Sequence, residues 1–373
     1  MTEKAHADKN NSTVLGKRIV RCAGSTAVCG IPSREVGGAY QIQAVDWELR
    51  DWPLQYAGVV DRAITMDLSI GRISIPQIVE IDNTSAQALL QDVTVSKRVS
   101  SYTLREPVLQ LEKEIEMLLR AGNPSFNDGL GVRLADWHRE DRGLVIDVQP
   151  VAFTDVLKSN MQMDRVLSNG ETLRTVLHEN GRLEPLDESV LGNPIGVDIL
   201  LFTKRGDMVV QKRSERMAIR PGALAPSVSG GFDWEDVAPD DVRTLADVPI
   251  WREMIEELGV AQGVLRDLHF LGVARELARG GQPEAFFSGS LDVTTEDLTT
   301  QWAAARDSWE ASQLRFYALG ELAVRRLRTR DEYEELARCM SSLLEEILEE
   351  SSVTLLANIA LWLAWKRNEY EDA

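Results

Sequence analysis

Residues 251–260 read Trp-Arg-Glu-Met-Ile-Glu-Glu-Leu-Gly-Val, which places Glu253, Glu256 and Glu257 within five positions directly behind Arg252. On an α-helix Glu253 lies three and four positions before the other two, so all three carboxylates can point toward one side. Carboxylates one turn apart repel by a few tenths of a kcal/mol. A hard divalent cation reverses that penalty, because it wants several carboxylate oxygens converging on one point, and Mg²⁺ in particular takes few carboxylates together with substrate phosphates. The competing reading is a solvated helix face, the ordinary fate of a Glu-rich turn such as Leu-Glu-Glu-Ile-Leu-Glu-Glu at 344–350. Around the three glutamates, Arg252 can pair with Glu256 four positions on. Met254, Ile255 and Leu258 can face a core, and Gly259 can end the helix.

Other charged residues could meet a phosphate. Lys212 and Arg213 end a strand-like segment just before the glycine-containing loop that carries Gly230 and Gly231, and Arg275 closes another such segment. A guanidinium there could bind phosphate in bidentate fashion, or it could be a plain strand-end charge. His6, His138, His178 and His269 show no ligand spacing and read as structural. Trp362 and Trp365, three apart on an apolar helix, read as core rather than as base-stacking platforms.

These residues need elements to hold them. Residues 1–13 read as a disordered tail, and 17–100 as a β-rich stretch with alternation in Arg-Ile-Ser-Ile-Pro-Gln-Ile-Val-Glu-Ile and no nameable chemistry. A helix is expected from Pro107, with Val108, Leu111, Ile115 and Leu118 at helical spacing and a stop at Gly122. That stop sets a boundary between an N-terminal region, 1–122, and a second region, 123–373, divided into a lead-in (123–190), a core (191–322) and C-terminal helices (323–373). Within the core, 196–203 and 208–213 flank the turn Lys-Arg-Gly-Asp and read as a β-hairpin. The segments 268–275 and 285–293 read as two further strands joined by a loop.

Bulk properties exclude several classes. The chain has 373 residues, 44% hydrophobic and 27% charged, a globular composition. No apolar run reaches the roughly 18 residues of a membrane span, and the polar N-terminus does not read as a secretory signal. The net charge of −18 argues against a nucleic-acid backbone as partner, since that needs clustered Lys and Arg. Three cysteines, Cys22, Cys29 and Cys339, suggest reduced thiols and a cytoplasmic protein, although Cys22 and Cys29 could pair. A homodimer stays open.

The string Arg-Glu-Met-Ile-Glu-Glu-Leu-Gly-Val resembles the second half of the Nudix box at every position, and Gly230 and Gly231 stand where that motif expects a glycine loop. The separation of Gly231 and Arg252 is 21 positions, seven more than the family pattern, and Val237 occupies the place of its early glutamate while Glu235 and Asp236 lie out of register. Segments from about Asn123 to Trp365 are similar to Nudix pyrophosphatases of nucleotide sugars. The resemblance implies an α/β (α+β) fold, the Nudix α/β/α sandwich with a mixed sheet, here with an N-terminal β-rich region and a C-terminal helical segment. It implies that Glu253, Glu256 and Glu257, with the Gly230 carbonyl, hold Mg²⁺ (or Mn²⁺), and that Arg252 orients a carboxylate. Glu284 would be a general base or a further ligand, and Arg213 and Arg275 would bind substrate. The substrate would be a small nucleotide, a nucleoside diphosphate linked to another group such as the glucose of UDP-glucose. The alternative is a Nudix-fold module that binds a nucleotide without hydrolysing it.

Overall fold

The computed structural model describes residues 63–68, 71–80, 94–113, 129–140, 143–178, 181–217, 220–237, 247–261 and 263–371. The expected tail at 1–13, the cysteines Cys22 and Cys29, and the boundary at Gly122 lie outside them. Of the helix expected from Pro107, residues 108–113 are described and are helical.

The largest element is a mixed sheet. Its centre is β6 (Gly196–Thr203), which forms the expected hairpin with β7 (Asp207–Arg213) through the pairs Leu201↔Val209 and Phe202↔Met208. The hairpin turn uses Gly206 at φ +79°, where a Cβ would stand 1.9 Å from the Gly320 carbonyl oxygen, so only glycine fits. On its other edge β6 runs parallel to β11 (Gln282–Leu291), from Glu284↔Gly196 to Leu291↔Thr203. Antiparallel neighbours extend the sheet: β10 (Leu265–Glu276) beside β11, and β12 (Ala311–Ala318) beside β7. The short strands β8 (Leu224–Ala225) and β9 (Val228–Gly231) pair with β7 and β6. Strands β1 (Ala63–Leu68) and β2 (Gly71–Glu80) join the same sheet, because β2 pairs with β10 at Ala274↔Glu80 through Glu276↔Ile78. The N-terminal β-rich segment therefore shares its hydrogen-bond ladder with the core.

Side chains on β6 alternate between the two faces, as the pleat demands. Leu200 and Phe202 pack with Phe286 of β11 and with two helices, α6 (Arg330–Ile347) and α7 (Val353–Glu371). Val197, Ile199 and Leu201 pack on the opposite face against α4 (Asp247–Leu258) and α5 (Thr295–Ala303). The result is three layers, α/β/α. A second sheet, β3 (Thr94–Lys97), β5 (Gly143–Ala152) and β4 (Leu130–Glu140), adds Val132, Leu134, Ile146 and Val148 to the α4 side. The lead-in carries short helices α1 (Phe153–Lys158) and α2 (Leu173–Leu177), and α3 (Trp234–Val237) follows β9.

Helix α7 is apolar nearly all round and is buried as such, with Leu355, Leu356, Ala357 and Ile359 fully enclosed. Among the described residues no helix is long and apolar enough to cross a membrane. Trp362 is core, stacked on Phe202 with ring centroids 4.7 Å apart, and Trp365 lies against His269 at 4.1 Å. Cys339 on α6 is partly buried against the core that this helix shares with α7.

Replacing Trp362 with Ala should lower the unfolding free energy by about 3–5 kcal/mol, since the cavity left between sheet and helix cannot collapse. Trp309→Ala, at a position 56% exposed, should change it by no more than about 1 kcal/mol. Urea denaturation of the two variants measures the contrast.

Candidate functional site

The three glutamates do ride on one helix. Ile250, Met254 and Leu258 follow one another at four-residue spacing and are fully buried, so they set which side of α4 faces the sheet. Ile255 does not join them as expected; it is 48% exposed, because it sits a quarter-turn beyond the buried stripe. Gly259 ends the helix at φ +65°, its N–H donating to the Ile255 carbonyl at 3.0 Å.

Turned this way, α4 lays Glu253 and Glu257 against β9. The Glu253 carboxylate lies directly over Gly230, where a Cβ would stand 2.1 Å from its Cδ, and accepts from the Gly231 N–H at 3.3 Å. Glu257 accepts from Gln211 Nε2 at 2.7 Å and from the Ser229 N–H at 3.5 Å. Burial pushes Glu253 up to about 7, with the Arg252 charge opposing the rise. Glu257 is held well above the usual carboxylate range by burial first and then by the charge of Glu253. Glu256 is differently placed. It is half-buried at the rim, taken by Arg306 Nη1 at 2.6 Å and by Arg252 Nη1 at 3.4 Å.

Arg252 ties the glycine loop to the helix. Its Nε donates to Asp236 at 3.0 Å, its Nη1 to Glu253 at 2.9 Å and its Nη2 to the Gly231 carbonyl at 2.8 Å. Asp236, out of register in the sequence, thus meets Arg252 in space, since α3 brings it back over the start of the segment that lengthens the motif.

Among the described residues no three His, Cys, Asp or Glu side chains converge closely enough to hold a metal ion. Glu253 and Glu257 nevertheless suit a hard dication. Both are desolvated, Glu253 opposes the ionisation of Glu257, and the missing Cβ of Gly230 makes room for the Glu253 carboxylate.

Beside this pair, toward α7, a cavity of about 120 Å³ opens, lined among others by Asp198, Arg213, Arg220, Arg279, Gln282 and Glu284. The structure thus brings Arg213 and Glu284 to the same cavity and puts Gly230 in its wall. Glu284, 4% exposed, lies over its register partner Gly196, whose missing Cβ leaves room for the carboxylate. It accepts from Gln282 Nε2 at 3.0 Å and from Arg279 Nη1 at 3.4 Å, and burial raises its proton affinity well above normal. Burial likewise raises Asp198 to about 6.

Arg275 is placed elsewhere. Its guanidinium donates to the backbone carbonyls of Gly281 (2.8 Å) and Glu184, so it secures the β10–β11 turn and does not line the cavity. Lys212, beside Arg213, points to Glu350 at 2.8 Å, and Arg315 meets the same carboxylate at 3.3 Å. Sequence reasoning missed Asp198, Arg220 and Arg279. Asp198 had a signal, a lone acid inside the apolar run of β6; Arg220, paired with Glu276 and held at φ +49°, and Arg279, in a turn, had none.

No family model matches this chain, and no curated protein does. Solved structures that resemble it include the MutT protein of Methanosarcina mazei (17% identity, TM-score 0.28, 47% of this chain and 94% of that one). A mutT/nudix family protein from Listeria innocua shows 19% identity and a TM-score of 0.25 over 42% of this chain and 97% of that one. An Ap4A hydrolase from C. elegans shows 16% identity and a TM-score of 0.22 over 41% and 98%. Each overlap takes in less than half of this chain.

Arg252→Ala strips Asp236 and Glu253 of their shared cation and should lower stability by about 3 kcal/mol. Arg306→Ala, at a side chain 75% exposed, should cost no more than about 1 kcal/mol. Thermal or urea melts of the two variants check this, and equal losses would contradict the bridging role.

Proposed function

We propose that this chain is a Nudix-type hydrolase that cleaves the pyrophosphate bond of a nucleoside diphosphate linked to a second group, with a nucleotide sugar such as UDP-glucose as substrate. The observation that carries the reading is the pair Glu253 and Glu257, buried side by side against the Gly230–Gly231 strand and tied to it by Arg252. Two adjoining desolvated carboxylates are an expensive arrangement, and their hydrogen bonds to Gln211, Ser229, Gly231 and Arg252 offset only part of that cost. They make sense as ligands. Glu253 and Glu257, with Glu256 and the Gly230 carbonyl, would hold Mg²⁺. The chemistry such a cation supplies is neutralisation of pyrophosphate charge and acidification of water.

The chain's own residues cover the remaining needs. Arg213 and Arg279 offer guanidiniums to phosphate oxygens across the cavity. Glu284, a buried carboxylate with raised proton affinity, is suited to take a proton from the attacking water. Arg252 fixes the orientation of Glu253, and Arg275 secures the turn that presents Arg279. Enclosure by α7 limits the water that reaches the cavity.

One observation favours a second reading, a nucleotide-binding module without turnover. The early acid of the motif is replaced by Val237, and among the described residues no third carboxylate converges on Glu253 and Glu257. Incubation with nucleotide sugars, dinucleotides and nucleoside triphosphates, with the phosphomonoester products read through an added phosphatase that releases their phosphate, separates the two readings.

In that assay Mg²⁺ or Mn²⁺ should support turnover and EDTA should abolish it; hydrolysis undiminished by EDTA would sink the metal-assisted reading. Glu257→Gln keeps size and helix propensity while removing a charge, so it should preserve the fold and cut turnover by roughly 10³-fold, about 4 kcal/mol of barrier. Glu345→Gln, on the exposed face of α6, is the control and should change neither rate nor stability by more than about 0.5 kcal/mol. Glu350 does not serve for this purpose, because it carries the ion pairs with Lys212 and Arg315.

A further inference from the structure

The cavity holds more than cations. Asp198 Oδ1 and Gln282 Oε1 are buried acceptors without a hydrogen-bond partner, on residues 1% and 4% exposed, and both residues line it. A buried acceptor left unmet costs about 1–3 kcal/mol, so two in one cavity call for donors from a ligand. The surroundings fix what they can accept. Gln282 already spends its Nε2 on Glu284 at 3.0 Å, which leaves Oε1 as the group on offer. Asp198 follows Gly196 by two positions on β6 and so faces the same side, toward Glu284 across the parallel register. An aliphatic or aromatic group seated here would bury both acceptors unmet. Inorganic phosphate brings mostly further acceptors. Neighbouring hydroxyls on one ring bring donors at the spacing two acceptors can share.

We propose that this cavity is a subsite for a sugar phosphate, with Asp198 and Gln282 accepting hydrogen bonds from the sugar hydroxyls while Arg213 and Arg279 face its phosphate. The assignment deepens the hydrolase reading and rests on it in one respect: the phosphate is that of the cleaved diphosphate. Asp198 and Gln282 are then the residues that select what is attached to the nucleotide. A site built to hydrogen-bond hydroxyls rejects ligands that lack them, since the paired groups are then left bare.

Binding tests the proposal without turnover. The full chain, in EDTA, is titrated calorimetrically with glucose 1-phosphate and, separately, with inorganic phosphate. Glucose 1-phosphate should bind at least about 10-fold more tightly than inorganic phosphate, a gap of about 1.4 kcal/mol. Asp198→Ala and the near-isosteric Gln282→Met should each weaken glucose 1-phosphate and shrink that gap to under about 3-fold, with affinity for inorganic phosphate no lower than in the parent. Thermal melts establish that each variant folds, and Gln282→Met alone decides if Asp198→Ala does not. Equal affinity for the two phosphates, no binding of either, or a gap unchanged in the folded variants would overturn the subsite. A preserved gap in the parent together with no hydrolysis of any pyrophosphate substrate would uphold the subsite and remove the hydrolase reading instead.

Discussion

The guanidinium of Arg252 holds the candidate site in one piece. Three of its nitrogens reach three different partners: Asp236 on the turn after the glycine strand, Glu253 on its own helix, and the Gly231 carbonyl on β9. A planar, permanently charged fork suits this task, because one rigid group can satisfy partners from separate segments at fixed angles. A lysine carries its three donors on one nitrogen and has no planar fork to hold them at these separations. The segment between β9 and α4 is longer than the motif it resembles, so the chain alone leaves the distance between loop and helix poorly constrained. The arginine supplies the constraint that chain connectivity lacks.

Around that tie, β6 organises everything else. It is covered by α4 on one face and α7 on the other, and it pairs with β7, β9 and β11. Its apolar residues serve two cores at once. Only where the strand begins, at Gly196 and Asp198, does the α7 face turn polar, and the cavity opens there. Gly196 is small because Glu284 occupies the space above it, and Gly230 is small because Glu253 does. Two glycines thus make room for two buried carboxylates, one on each side of the sheet's rim.

The polar groups behind the cavity are arranged from outside the motif. Arg174 of α2 donates to the Leu277 and Ala278 carbonyls at 2.7 and 2.8 Å, Asn160 donates to the Arg279 carbonyl at 2.8 Å, and Arg275 holds the Gly281 carbonyl. The lead-in therefore fixes the backbone of the turn that delivers Arg279. Helix α7 closes the cavity from the other side with Ser352 and Thr354 at its start.

Much of this was legible in the order of residues. Helix α4 and its stop at Gly259, the β6–β7 hairpin, the pair β10 and β11, and the core role of Trp362 all follow from short-range periodicity and turn chemistry, which act within a few residues. So does the grouping of Glu253, Glu256 and Glu257 on one helix. What a side chain meets across the fold does not follow, because it depends on packing between elements far apart in sequence. Arg275 read as a substrate contact, yet it spends its guanidinium on carbonyls; Glu350 read as a solvated acid, yet it pairs with Lys212 and Arg315. Arg220 and Arg279 gave no sign of facing a shared cavity, and the pairing of β2 with β10 carried no local signature. The sequence by itself determined the helix and its row of carboxylates. Tertiary structure decided that Glu253 and Glu257 are buried while Glu256 stays at the rim, because burial is set by the strand and glycines brought beneath the helix.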